Sequence, residues 1–193
     1  MALSLVKGQR ISLEKEAKTS LTRIAMGLGW DPVKIKGIMG FFTSPEEIDL
    51  DASCIMFDAA KNLVDVVWFR QLKNKDGSIC HSGDNLTGAG DGDDETISVD
   101  LSRVPANVAT LVFTITSFRG QTFDQIDNAY CRLINLANNE EIARYTLSGG
   151  GSVTAQIMAK IYRHANEWKM GAIGEPANGQ TFQDILPNVI PFL

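Results

Sequence analysis

The sequence predicts a mainly β domain, a sandwich or barrel of short strands with one amphipathic helix near its C-terminal end. Three observations predict it. Short alternating or apolar runs fill the first three-quarters of the chain, β-branched and aromatic residues concentrate in them, and turn-forming residues separate them. Many short strands spaced by turns are the pattern of all-β sandwiches and barrels.

In chain order the strand candidates are Ile11 to Leu13, Ile24 to Leu28, Ser53 to Phe57, Val64 to Phe69, Ile97 to Leu101, Leu111 to Phe118, Ala129 to Leu136 and Glu141 to Leu147. Leu111-Val112-Phe113-Thr114-Ile115-Thr116 is rich enough in β-branched and apolar residues to be a central strand. Lys75-Asp76-Gly77-Ser78 and Ala137-Asn138-Asn139-Glu140 read as hairpin turns. After Gly149-Gly150-Gly151, Ser152 is placed to cap a helix whose apolar stripe is Val153, Ile157, Met158, Ile161 and Tyr162. Glu167 to Ile173 resembles a last strand, and Thr181 to Leu186 begins a short helix that Pro187 is expected to stop. The connection from Pro32 to Ile48 carries Gly37-Ile38-Met39-Gly40-Phe41-Phe42, expected either to fold back on the core or to form a contact surface.

The chain has 193 residues, 44% of them hydrophobic, which is enough for one well-buried domain and too few to favour two. A net charge of −5 without a basic patch interleaved with aromatics argues against nucleic acid as a partner. No apolar run reaches the roughly 18 residues of a membrane span, so no direct membrane insertion is expected. The first residues lack the apolar length of a signal peptide, and the cytoplasm is the expected compartment. Cys54, Cys80 and Cys131 are widely spaced and lack Cys-x-x-Cys pairing, so they read as buried thiols and not as a redox or soft-metal site. His81 and His164 are isolated and read as ordinary polar positions, and no catalytic triad can be assembled from the sequence.

The chemistry lies in carboxylates. In Gly83-Asp84-Asn85-Leu86-Thr87-Gly88-Ala89-Gly90-Asp91-Gly92-Asp93-Asp94-Glu95 a glycine-rich stretch runs into four acids within five residues. At about 5 Å and an effective dielectric near 20, each carboxylate pair costs roughly 3 kcal/mol, so such a loop calls for a cation. Glycines let the backbone turn carbonyls inward, and acids supply the hard oxygens that Ca²⁺ collects in groups of about 6–8. A second cluster, Asp49-Leu50-Asp51-Ala52-Ser53, would place Asp49, Asp51 and Ser53 on one face of an extended segment, with Cα atoms about 7 Å apart. That row is either part of an ion site or a solvated strand edge. An EF-hand is excluded, because Leu86 and Gly88 stand where its loop needs oxygen side chains and Ala89 replaces its turn glycine. A P-loop is excluded because no Gly-Lys-Ser/Thr follows the glycines.

Taken with Gly27-Leu28-Gly29-Trp30-Asp31, with Asp76-Gly77-Ser78, Arg144-Tyr145, Tyr162-Arg163-His164 and Glu167-Trp168-Lys169, these two acidic segments closely resemble the TerD family of tellurium-resistance and stress proteins over nearly the whole chain. The resemblance implies a single domain over residues 1–193, a β-sandwich of two antiparallel sheets with Ca²⁺ held in loops at one edge, where the two acidic clusters meet. It makes Asp31, Asp49, Asp51, Ser53, Asp84, Asn85, Thr87, Gly88, Gly90, Asp91, Asp93, Asp94 and Glu95 the candidate metal ligands, the glycines acting through backbone carbonyls. Two departures from the family pattern are the Pro32 to Ile48 connection and Leu86, where an arginine is usual. Losing that arginine removes a cation that would offset nearby carboxylates.

The expected function is therefore a non-enzymatic cytoplasmic Ca²⁺-binding protein of a tellurite or stress-resistance system, whose acidic loops bind the ion and present a docking surface to other proteins of a membrane-associated stress complex. The partner role follows from the resemblance alone. The alternative is a metal-dependent hydrolase using the same carboxylates, for which Arg70, Lys75 and His81 are the available acid, base or cationic groups.

Overall fold

In a computed structural model describing residues 2–17, 21–32, 49–83, 92–147, 151–165 and 167–193, two six-stranded sheets stack face to face. The first sheet has the order β1 (Leu3–Ser4), β10 (Glu140–Thr146), β9 (Ile126–Asn135), β3 (Arg23–Pro32), β7 (Glu95–Asp100) and β6 (Ile79–His81). The second has the order β2 (Arg10–Ser12), β12 (Glu167–Ala177), β11 (Ala155–His164), β8 (Thr110–Ser117), β4 (Leu50–Phe57) and β5 (Leu63–Val67). Every pairing within the sheets is antiparallel except that of β1 with β10. The short helices are α1 (Leu13–Ala17) and α2 (Phe182–Val189), with 3-10 turns at Phe123–Gln125 and Ile190–Phe192.

Alternation builds the core. Ile24, Met26 and Leu28 of β3, Ile97 and Val99 of β7, and Leu133 of β9 face Ala52, Cys54 and Met56 of β4, Phe113 and Ile115 of β8, and Met170 of β12. The other face of the second sheet is apolar as well: Ile55, Phe57, Val112, Ala155 and Ile157 pack beneath Phe182, Ile185 and Val189 of α2. Each fully buried side chain of this size stabilises by roughly 1.5–3 kcal/mol, so α2 is held by its apolar stripe. β4 and β8 are thus buried on both faces, and β8, flanked by β11 and β4, is the central strand that its composition predicts.

The segment after Gly151 is not the expected helix. It is β11, hydrogen-bonded to β8 on one side and β12 on the other. A register shift between Ile157 and Ala159 explains the misreading. Before it, Ala155 and Ile157 point to α2; after it, Ala159 and Ile161 point to the inter-sheet core, as does Met158. A bulge in a strand buried on both faces produces an apolar spacing that imitates a helical stripe. The C-terminal helix is α2, capped by Thr181 and Asp184, and Pro187 lies inside it instead of ending it. Its buried anchors Ile185 and Val189 flank the proline, so packing carries the helix past the lost hydrogen bond. The segment from Gly37 to Phe42 lies outside the described residues.

Candidate metal centre

The carboxylates gather at one end of the sandwich, where β3 ends, β7 and β4 begin, and β8 ends. The Asp94 amide donates to the Leu28 carbonyl at 2.9 Å, and the Trp30 amide donates to Asp94 Oδ2 at 2.8 Å. Burial, outweighing that hydrogen bond, raises the Asp94 carboxyl above the usual carboxylate range, and the neighbouring charges of Asp31, Glu95 and Asp93 push the same way. Asp31 is exposed and accepts a hydrogen bond from Asn128 Nδ2 at 2.9 Å.

Asp93 lies flat on β3. A Cβ on Gly27 would stand 2.0 Å from Asp93 Oδ2, so only glycine leaves room for this carboxylate. Gly29 does the same for the Tyr130 ring, which a Cβ would meet at 2.5 Å. Gly27 pairs with Arg132 and Gly29 with Tyr130 across β3 and β9. That register brings Arg132 Nε to 2.7 Å from Asp93 Oδ1. The Tyr130 hydroxyl stands 2.7 Å from the Gly92 carbonyl and 3.1 Å from Asp93 Oδ1; burial and the Asp93 charge push the phenol up to about 12. Glu141 holds Arg132 at 3.3 Å and Arg144 at 2.9 Å, and Arg144 stacks 4.2 Å above the Tyr130 ring.

Glu95 continues the inward row of Ile97 and Val99 and is fully buried. Its Oε2 accepts the Ala52 amide at 2.6 Å, which joins β7 to the beginning of β4. His81 Nε2 lies 3.2 Å from the same oxygen but off the hydrogen-bonding direction, while its Nδ1 accepts from the Gly83 amide at 3.1 Å. The other cluster spans the start of β4, with Asp49 just before the strand. Asp49, Asp51 and Ser53 are all buried, and Asp49 is paired with Arg119 at 3.1 Å. Alternation puts Asp51 and Ser53 on the face of Ile55 and Phe57, beside Thr116 and Thr114 of β8. Glu95 instead meets the edge of β4 from the inter-sheet side. The two acidic segments therefore meet through Glu95 and the Ala52 backbone, and among the described residues no three His, Cys, Asp or Glu side chains converge on one point.

Asp84, Asn85, Thr87, Gly88, Gly90 and Asp91 lie outside the described residues. The described donors, Asp31, Asp49, Asp51, Ser53, Asp93, Asp94 and Glu95, are all hard oxygens, which fits Ca²⁺ and not a soft metal. Three participants escape the sequence reading, Arg119, Arg132 and Tyr130, whereas His81 enters it as an ordinary polar position or an acid–base group. The one signal for Arg132 is a charged residue two positions from Tyr130 within an apolar strand, which marks a shared polar face. The cysteines stand apart: burial raises the Cys54 thiol far above its ordinary value and pushes Cys131 up to about 12, and Cys80 is partly buried.

The TerD domain matches residues 1–188 of the chain. It is 46% identical over 189 residues to the tellurium resistance protein TerZ of Serratia marcescens, covering 97% of each chain. It is 41% identical over 202 residues to the stress response protein SCP2 of Bacillus subtilis (strain 168), covering 98% of this chain and all of that one. Among solved structures, a TerD homologue from Streptomyces coelicolor A3(2) superposes with a TM-score of 0.67 at 21% identity, covering 86% of this chain and 96% of that one, which supports the fold alone. The chain belongs to the TerD family of tellurium-resistance and stress-response proteins.

Proposed function

We propose that the acidic end of this TerD-family sandwich binds Ca²⁺, and that ordering of this end on the ion presents a docking surface to other proteins of a membrane-associated stress complex in the cytoplasm. The protein acts by binding and not by catalysis. The observation that carries the reading is Asp94: a half-buried carboxylate whose charged form burial disfavours, with the charges of Asp31, Glu95 and Asp93 adding to the effect, so that a cation beside it would be favourable.

Asp31, Asp93, Asp94 and Glu95 would act from the first sheet and Asp49, Asp51 and Ser53 from the second, with Asp84, Asn85, Thr87, Gly88, Gly90 and Asp91 completing the set. Asp93 lies on the outer face of the first sheet and Asp51 and Ser53 on the outer face of the second, so separate ions would offset the repulsion within each cluster. Arg132 and Arg119 fix Asp93 and Asp49 in place, Gly27 makes room for Asp93, and Trp30 orients Asp94. A hydrolase would need a guanidinium directed at substrate, and the two nearest to these carboxylates are each engaged with an aspartate.

Calorimetric titration tests the binding claim. The expected result is saturable heat with Ca²⁺ and a weaker response to Mg²⁺, which demands near-octahedral geometry and gives up water reluctantly. An absence of saturable heat with either ion would overturn it.

A further inference from the structure

The second sheet carries a feature of opposite sign at the end away from the carboxylates. Antiparallel register places Arg10, Gly171 and Lys160 side by side across β2, β12 and β11, and Ser12, Lys169 and Tyr162 side by side in the next row. These rows lie on the outer face, beyond the area that α2 covers, since Lys160 pairs with Val112 of the outer apolar cluster. Here an open cavity of about 680 Å³ is lined by Arg10, Lys15, Lys169 and His164, with Glu16 its acidic lining residue. Glu167 borders it and accepts the Ser12 hydroxyl at 3.1 Å.

The cations are crowded. The stems of Arg10 and Lys160 converge over Gly171, at 3.6 and 3.7 Å from where a Cβ would stand. Burial lowers the Lys160 ammonium below its ordinary value, and the charges of Arg10 and Lys61 add to the effect. Lys160 itself donates to the Phe192 carbonyl, and Lys7 nearby is paired with Glu175. Among the described residues, no ion pair involves Arg10, Lys15 or Lys169. On a chain of net charge −5, such an excess of positive charge in a groove is a local exception.

We propose that this groove is an oxyanion site, in which Arg10 and Lys169 grip a phosphate-type group and Lys15 and His164 stand at its rim. The Arg10 fork suits two oxygens of one phosphate, and the lysines add point charge without demanding geometry. A cavity of this size exceeds one carboxylate and admits a diphosphate or a phosphorylated headgroup. The site stands independently of Ca²⁺ binding, because it lies at the opposite end of the sheet from Asp49 and Asp51.

The test is a titration of inorganic pyrophosphate into isotope-labelled full-length protein in chelator, with chloride holding ionic strength constant and amide resonances as the readout. Saturable shifts are expected at Arg10, Ser12, Lys169 and Gly171. Arg10→Gln and Lys169→Gln should each weaken binding by about tenfold, the worth of one charge-assisted contact, while Lys169→Arg retains it. Melting curves of the same variants confirm that they are folded. Vesicles containing phosphatidic acid form a second arm. Cosedimentation that pyrophosphate competes away would assign the phosphate to a lipid headgroup, and pyrophosphate binding without cosedimentation would assign it to a soluble phosphate. Neither arm binding, or affinities unchanged by both charge-removing variants, would overturn the proposal.

Discussion

The guanidinium of Arg132 lies 2.7 Å from the carboxylate of Asp93, and that carboxylate occupies the space that the missing Cβ of Gly27 leaves on β3. Arg119 stands in the same relation to Asp49, at 3.1 Å. Each acidic cluster therefore has a resident counter-cation. These arginines supply positive charge beside the aspartates and keep them in position.

Repulsion alone would make Asp93→Asn neutral or stabilising in metal-free protein. The pair with Arg132 reverses that expectation, because the substitution takes from a partly buried guanidinium the nearer of its two carboxylate partners and leaves it only Glu141. We expect Asp93→Asn to lose about 1–3 kcal/mol in chelator, read by denaturant unfolding, and to weaken the Ca²⁺ response as well. A variant as stable as the parent in chelator would show that the pair contributes nothing.

Gly27→Ala should act on Asp93 without touching any charge. The new methyl collides with the carboxylate, at a cost of about 1–3 kcal/mol for overpacking, and Asp93 must leave its place over β3. A smaller Ca²⁺-induced rise in melting temperature is the expected consequence. An unaltered rise would mean that Asp93 does not serve the ion from this position.

Asp94 yields a pH dependence of definite sign. Its folded-state carboxyl titrates above the unfolded value, so between the two values the native state binds more protons and stability falls as pH rises. At neutral pH the full penalty is present in metal-free protein. Asp94→Asn should therefore melt above the parent in chelator at neutral pH, and the advantage should shrink as pH falls through the carboxylate range. An advantage that persists unchanged in acid would contradict this assignment.

Thiol reactivity separates the cysteines. Cys54 and Cys131 are buried with raised thiols, and Cys80 is partly accessible. A thiol-specific reagent should modify Cys80 in native protein and reach the other two only on unfolding. Rapid native modification of Cys54 or Cys131 would reopen direct chemistry between tellurite and protein thiols.

From β3 to β10 the strands other than β6 are largely legible in the sequence, because most have one face, or two, fixed by burial, and their apolar or alternating runs record it. β11 is not, because a bulge changes the parity of its buried residues midway. β1 and β6 are too short to leave a periodic signal. In the site, the acids announce themselves by density, and Asp51 and Ser53 do share one face of β4. Their surroundings were hidden. Arg132 lies 39 residues from Asp93, and only the register of β9 on β3 brings them together. The same holds for Glu95, whose contact with Ala52 requires the two sheets to be stacked.

Thermal melting of the full chain in Ca²⁺ against chelator tests the central claim most directly. Binding restricted to the folded state, at a hundred times the dissociation constant, adds about 2.7 kcal/mol per site, so the melting temperature should rise by several degrees, and by less with Mg²⁺. A melting temperature that millimolar Ca²⁺ leaves where chelator put it would contradict the account.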